Sequence, residues 1–220
     1  PPRSTLFPYT TLFRSDTLYM DNTRYLYNNI AAFNAGNTGC GFNENNLGMV
    51  SLAAKIYNNT AYGNNFGFMT GGNLTGDYKV NDYRNNISYA SRFGYEVDLN
   101  EWAGGQLYYD ISNTWTDGVS FTVTDADFVL VDSTQCVTQM SASRKADGSL
   151  PDITALHLVE GSDLIDAGVD VGLPYNNTAP DVGYWEYGTA NPPVDPQTYI
   201  PPVVSGTRLL IHNGKPIKIE

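Results

Sequence analysis

Cysteine is almost missing from this chain: Cys40 and Cys136 are the only two in 220 residues. Two thiols cannot build a disulfide framework or a structural zinc cluster, and two free thiols are the expected state. Basic residues are scarce as well. Lys and Arg number 12 against 23 Asp and Glu, a formal net charge of −11. Binding to a phosphate backbone relies on concentrated Lys and Arg, so nucleic acid is not an expected partner, and the acidic surface reads as solubility. No apolar run approaches the roughly 20 residues of a membrane helix. Leu-, Ala- and Glu-rich helical stretches are absent, and no segment shows clean 3.6-residue periodicity. His157 and His212 lack nearby partners that would suggest a nucleophilic triad. What is present instead is Tyr (16 residues), Gly (21 residues) and much Asn, a composition that favours short strands and many turns.

The first residues stand apart from the rest. Thr5 to Ser15 read TLFPYTTLFRS, a string resembling the in-frame translation of a DNA-sequencing adapter. Pro8 interrupts it and Arg14 closes it, so it has no apolar core of a secretory signal. Residues 1–15 are therefore expected to be a non-native leader.

The body carries an internal repeat. Tyr27-Asn28-Asn29-Ile30 recurs as Tyr57-Asn58-Asn59-Thr60 and as Arg84-Asn85-Asn86-Ile87, with a weaker copy at Ser112-Asn113-Thr114-Trp115. The second Asn falls at 29, 59, 86 and 113, giving spacings of 30, 27 and 27. An aromatic follows each time, at Phe33, Tyr62, Tyr89 and Trp115, and then a Gly-aromatic pair, Gly41-Phe42, Gly67-Phe68 and Gly94-Tyr95. The period would suit a leucine-rich repeat, but the leucine pattern is missing. Three short strands and three turns fill one coil of this length, and coils stack about 4.8 Å apart, each strand pairing with its copy in the next coil. An amide at the same turn of every coil can donate to one neighbour and accept from the other. The asparagines at 28, 58 and 85, or Asn29, Asn59 and Asn86 beside them, are thus read as a structural ladder. Leu26, Ile56 and Tyr83 are expected to point inward, and Tyr27, Tyr57 and Arg84 outward.

Beyond the repeats, Phe128 to Asp132 and Ala155 to Leu158 read as strands. Ser162-Asp163-Leu164-Ile165-Asp166-Ala167-Gly168 and then Asp181-Val182-Gly183-Tyr184-Trp185-Glu186 follow. Pro192, Pro193, Pro196, Pro201 and Pro202 make an extended linker. Asn213-Gly214 between apolar runs signals a hairpin, with Pro216 confined to an edge.

The repeats together with the Asp166–Gly168 and Asp181–Glu186 stretches resemble the closing coils of bacterial right-handed β-helix proteins. The coil copies resemble the extracellular pectate lyases of polysaccharide lyase family 9, most closely at Gly39-Cys40-Gly41-Phe42-Asn43-Glu44-Asn45-Asn46. The resemblance covers roughly Asp16 to Gly188. It implies an all-β fold: a right-handed parallel β-helix (solenoid) with a C-terminal cap and a short hairpin tail. The division is then 1–15 leader, 16–140 β-helix coils, 141–190 final coils and cap, and 191–220 Pro-rich linker and β-hairpin tail.

The resemblance also implies an activity. Such lyases cleave uronate polymers by β-elimination: a Lys or Arg base removes the proton beside the carboxylate, which bound calcium neutralises. In the family, the calcium aspartates and the base lie in coils before the Gly-Phe run, which here would fall upstream of Asp16. No catalytic residue is therefore assigned. Calcium is expected in the full-length parent, with no metal ligand assigned in this chain. The expected partner is an acidic, pectin-like polysaccharide, and the expected location is extracellular or at the cell surface. Asn43, Glu44 and Asn45 are the candidate substrate-groove residues. Glu96, Asp98 and Glu101 have oxygen ligands suited to calcium, but without EF-hand spacing they read as an acidic loop. Lys55, Lys79, Arg84 and Arg92 read as solvated positions. Trp102 and Tyr108 suit stacking on sugars or along the coils. The alternative is a non-catalytic β-helix, a surface adhesin or a fibre like a phage tail spike, since fold does not dictate function.

Overall fold

The computed structural model describes residues 24–34, 36, 39–45, 54–71, 81–98, 108–146, 148 and 150–189, and the backbone of 209–212 and 215–218. The expected leader, Lys79, Glu101, Trp102 and the proline linker lie outside these residues.

Each coil is three short strands. The first holds β1 (Arg24–Tyr27), β2 (Ile30–Ala32) and β3 (Cys40–Asn45). The second holds β4 (Ala54–Tyr57), β5 (Thr60–Tyr62) and β6 (Phe66–Gly71). The third holds β7 (Asn81–Arg84), β8 (Ile87–Tyr89) and β9 (Tyr95–Asp98), and a fourth contributes β10 (Tyr108–Ile111). Every pairing among these strands is parallel, in sheets ordered β1-β4-β7-β10, β2-β5-β8 and β3-β6-β9. This is the right-handed parallel β-helix that the repeat implies.

The tight turn from the first to the second strand explains the Asn-Asn pair. Asn28, Asn58, Asn85 and Ser112 have φ of 53°, 51°, 56° and 54°. That is the left-handed region, which asparagine tolerates better than most residues. The next residue in each turn, Asn29, Asn59, Asn86 or Asn113, points its amide along the stack. Nδ2 of Asn29 donates to Oδ1 of Asn59 at 2.9 Å, Asn59 to Asn86 at 3.0 Å, and Asn86 to Asn113 at 2.7 Å. At the last step Asn113 Nδ2 turns to the Asp110 carboxylate at 2.6 Å. A second, shorter ladder joins Nδ2 of Asn34 to Oδ1 of Asn64 at 3.0 Å.

Alternation along the strands sets the core. Leu26, Ile56 and Tyr83 are in register and pack with Ala54, Ala61 and Phe68. Phe68 is 1% exposed, stacks on Phe42 at 4.8 Å and meets Trp115 at 5.0 Å. Burying a ring of this size contributes about 1.5–3 kcal/mol. The Gly-aromatic repeat breaks at its third copy. Val97, not Tyr95, is in register with Phe42 and Phe68, while Tyr95 pairs with Phe66 and Cys40. The turn closed by Gly94 N–H on the Ser91 carbonyl, with Gly94 at φ 74°, shifts the copy and leaves Tyr95 exposed.

From 119 to 187 the described chain adds no further parallel strand. It runs as a strap across the outer face of β2-β5-β8. Phe128 and Leu158 form a single antiparallel bridge, flanked by Val129 N–H to the His157 carbonyl at 2.8 Å and Leu156 N–H to the Leu130 carbonyl at 3.0 Å. The strands expected at 128–132 and 155–158 are reduced to that contact. An unexpected helix, α1 (Ser133–Met140), is capped by Asp132, whose carboxylate accepts from Gln135 N–H at 2.9 Å. Its buried Cys136 and Met140 are four residues apart, on one face, and pack on Ile30, Ala32 and Phe33. Cys136 and Cys40 are free thiols. The tail is an antiparallel hairpin of β11 (Leu209–His212) and β12 (Lys215–Lys218), with Pro216 opposite Ile211.

Candidate functional site

The strap occupies one of the three outer faces, so the site must be sought on the other two. The first is β3-β6-β9. Asn43 is exposed on β3 and stands in register with Met69 and Asp98, while Glu44 pairs with Thr70 and Asn45 with Gly71. The three candidate groove residues are thus consecutive on one strand. Among described residues the Asn43, Met69 and Asp98 column offers amide and carboxylate groups for hydroxyls but no cation. Glu96 does not join it. Its carboxylate accepts from Ser88 Oγ at 3.0 Å, Ser91 N–H at 2.9 Å and Ser91 Oγ at 2.7 Å.

Those serine bonds bear on calcium. Glu96 is committed to a turn, Asp98 stands alone, and no three His, Cys, Asp or Glu side chains gather among the described residues. The described residues do not fit a calcium ion.

The second open face is β1-β4-β7-β10. Two outward columns run along it: Tyr25, Lys55, Asp82 and Tyr109, then Tyr27, Tyr57, Arg84 and Ile111. The Tyr27 and Tyr57 rings stack at 5.2 Å, 14° from parallel, and the Arg84 guanidinium lies over Tyr57 at 5.7 Å. These two neighbours leave Tyr57 only 4% exposed although it points away from the core. Asp82 ties the group together, accepting from Arg84 Nε at 2.8 Å and from the Tyr57 hydroxyl. Burial and that carboxylate hold the Tyr57 hydroxyl far above the usual phenol range. Lys55 Nζ sits 5.8 Å from the Tyr25 ring centroid. Tyr108, which suited sugar stacking, turns an edge to Tyr83 at 6.2 Å.

The Asp181–Glu186 stretch is buried and closes the strap on the coils. Asp181 is 1% exposed; its carboxylate accepts from Asp166 N–H at 2.8 Å and from Tyr187 N–H, and its carbonyl accepts from Asn58 Nδ2 at 3.2 Å. Gly183, at φ 108°, lies so close to Ile87 that a Cβ would sit 2.5 Å from its Cδ1. Gly183 N–H bonds the Asn85 carbonyl at 2.8 Å, and Tyr184 N–H bonds Thr60 Oγ1 at 3.1 Å. Glu186 Oε1 accepts from Asp181 N–H at 3.1 Å, while its buried Oε2 has no hydrogen-bond partner among the described residues. Burial, then Asp181, pushes Glu186 up to about 7. His157, stacked on Trp185 at 3.6 Å, is pushed down to about 4 by burial.

Known proteins resemble this chain in sequence and in fold. Pectate lyase L of Dickeya dadantii (strain 3937) is 32% identical over 152 residues, 69% of this chain and 31% of the relative. Pectate lyase L of Dickeya chrysanthemi matches with the same figures. The crystal structure of pectate lyase Pel9A superposes with a TM-score of 0.52 at 28% identity, covering 74% of this chain and 35% of that one. The chain is a pectate lyase-like parallel β-helix. It spans about a third of the length of the curated relatives it matches. No family model matches it. The outward column of Tyr27, Tyr57 and Arg84 follows the expected alternation, while the column beside it, Tyr25, Lys55, Asp82 and Tyr109, and the second ladder at Asn34 and Asn64 escaped the sequence reading. Tyr25 with Tyr27, repeated as Lys55 with Tyr57, was a period-two signal for the Tyr25 column.

Proposed function

We propose that this chain is the C-terminal part of a secreted polysaccharide lyase that acts on pectin-like uronate polymers by β-elimination. In that reaction a base takes the proton beside the uronate carboxylate, the electron pair forms a carbon–carbon double bond, and the glycosidic oxygen leaves with a proton. The register of β3, β6 and β9 carries the reading. It lines Asn43, Met69 and Asp98 in one column across the three strands, beginning on β3, whose sequence resembles the lyase run. The likeness to pectate lyases over 69% of the chain supports it, and by the family resemblance the base and the calcium aspartates belong to coils before Asp16. The column would then continue the substrate path, offering hydrogen bonds rather than the base.

The test is the absorbance of the unsaturated product from polygalacturonate with calcium present. This chain alone is expected to give none, and the parent with its preceding coils is expected to give a calcium-dependent rise. A parent that folds, contains these coils and leaves polygalacturonate intact overturns the lyase reading in favour of a non-catalytic β-helix. Activity from the 220 residues alone overturns the upstream placement of the base.

A further inference from the structure

We propose that the outer face of β1-β4-β7-β10 is a binding surface for an anionic glycan, separate from the β3-β6-β9 column. The strap covers β2-β5-β8 and leaves this face open. Tyr25 and Tyr109, 53% and 58% exposed, stand at the two ends of one column with Lys55 and Asp82 between them. Three strand spacings of about 4.8 Å separate the two tyrosines, a length that a short run of pyranose rings spans along the solenoid axis. Tyrosine suits that ligand because its ring packs on the apolar face of a sugar while its hydroxyl stays solvated.

Charge selects an anion. The chain carries −11 overall, yet the outward charges described on this face are Lys55, Arg84 and Asp82, with the cations in excess. Asp82 is bound to Arg84 Nε and the Tyr57 hydroxyl, which fixes the guanidinium over the Tyr57 ring. Lys55 makes no ion pair among the described residues, and its contact is with the Tyr25 ring. A glycan carboxylate would find there an ammonium beside a stacking ring, with Arg84 one column away. The Arg84, Asp82 and Tyr57 side chains are held by one another before binding, which lowers the ordering cost on that column.

The experiment measures binding of polygalacturonate oligomers to the full 220-residue chain by calorimetry, with neutral xylan oligomers as the comparison. Lys55→Gln, Tyr25→Ala and Tyr109→Ala are surface changes whose folding is checked by circular dichroism. Each is expected to weaken polygalacturonate binding by about fivefold. Lys145→Gln removes an equal charge from the strap, where Lys145 pairs with Asp152 at 2.6 Å, and is expected to leave binding unchanged. Added salt should weaken the native chain more than Lys55→Gln. Unchanged affinity in all three face variants overturns the proposal, as does native binding of xylan as tight as that of polygalacturonate. A change of sedimentation from dimer to monomer in Tyr25→Ala would make the occupant a second copy of the chain and also overturn it. The outcome is independent of the lyase reading, since a face that binds in a parent that does not cleave sinks only the latter.

Discussion

Asn59 donates twice to a single oxygen: its backbone N–H and its Nδ2 both reach Oδ1 of Asn86 at 3.0 Å. Asn86 repeats the pattern on Asn113 at 2.9 and 2.7 Å, and Asn29 on Asn59 at 3.1 and 2.9 Å. Nδ2 of Asn59, Asn86 and Asn113 also donates to a carbonyl one coil back, that of Leu26, Ile56 and Tyr83 respectively. Asn59, Asn86 and Asn113 are all 0% exposed. Asn86→Ala would strand the Asn59 backbone N–H away from water, take one acceptor from Asn59 Nδ2, which keeps the Leu26 and Tyr57 carbonyls, and remove the amide that the Ile56 carbonyl accepts from. Leaving buried polar groups unpaired costs about 1–3 kcal/mol each, so a loss of about 3 kcal/mol or more is expected, a fall of about 10 °C in Tm. Thermal denaturation followed by circular dichroism reads it. The double variant Asn59→Ala/Asn86→Ala should lose less than the sum of the two singles, because they share bonds.

Asn85 has a different task from Asn86. Its Oδ1 accepts from Val169 N–H at 2.8 Å and its Nδ2 donates to the Val169 carbonyl at 2.8 Å, pinning the strap to the third coil. Its φ is 56°. Asn85→Gly keeps the left-handed backbone at low cost and removes the strap bonds together with the Nδ2 bond to Asn58 Oδ1 at 3.2 Å, whereas Asn85→Ala removes the same bonds and also adds strain of about 1 kcal/mol. Both should raise hydrogen exchange at Val169 N–H, and Asn85→Ala should melt lower than Asn85→Gly. Equal melting with unchanged exchange would contradict a strap held by this residue.

The coils were legible because their geometry forces a residue type. A left-handed turn followed by a buried amide calls for Asn-Asn, and that pair repeats in the chain at the stacking period. The division of labour within the pair was not legible, since position 85 and position 86 carry the same side chain and differ only in which way the backbone aims it. The strap left no period to follow. Its contacts are single events: Tyr62 hydroxyl to Asp125 at 2.6 Å, Tyr184 hydroxyl to the Ala155 carbonyl at 2.6 Å, and Asp127 accepting from Ser162 Oγ at 2.7 Å. Helix α1 had a readable start at Asp132 and a Cys136–Met140 pair at helical spacing, masked by Thr and Val of low helix propensity. At the site, Asn43 to Asn45 drew notice because their local run resembles that of a known family, whereas the face of Tyr25, Lys55 and Tyr109 exists only once four coils are in register.

Gly67 tests the packing where β6 meets β8. A Cβ there would stand 1.8 Å from Ser88 Oγ and 2.3 Å from the Glu96 carbonyl oxygen. Ser88 cannot swing away freely, since its hydroxyl donates to that same carbonyl at 2.6 Å. Gly67→Ala should cost about 2–3 kcal/mol, as overpacked cores do. Adding Ser88→Ala should recover only part of the loss, because the carbonyl clash remains. Full recovery of Tm in the double variant would show that the backbone has room this packing denies it.

The Asp181 and Glu186 carboxylates make the strap's closure respond to pH, with a sign that their environment sets. Burial raises both, Glu186 to about 7 against an ordinary value of 4.5. A carboxyl whose folded pKa is raised favours its protonated form in the fold. Its contribution is therefore fully present below the unfolded pKa near 4.5 and is lost as pH rises through about 7. His157 acts in the opposite sense. It is pushed down to about 4 from 6.5, so its contribution is present above 6.5 and lost as pH falls through about 4. Between pH 4.5 and 6.5 the two slopes oppose, and the native chain should show a nearly flat Tm there, followed by a decline up to pH 7.5. Glu186→Gln keeps an oxygen for Asp181 N–H and mimics the protonated acid. Its Tm should rise with pH from 4.5 to 6.5, with His157 unopposed, and then stay level. At pH 7.5 it should exceed the native chain by a few degrees, about what 1 kcal/mol moves a chain of this length. Scanning calorimetry at intervals from pH 4.5 to 7.5 reads both curves. Parallel profiles for the two proteins would show that the buried Oε2 of Glu186 carries no charge cost, and that the strap closes without regard to its ionisation.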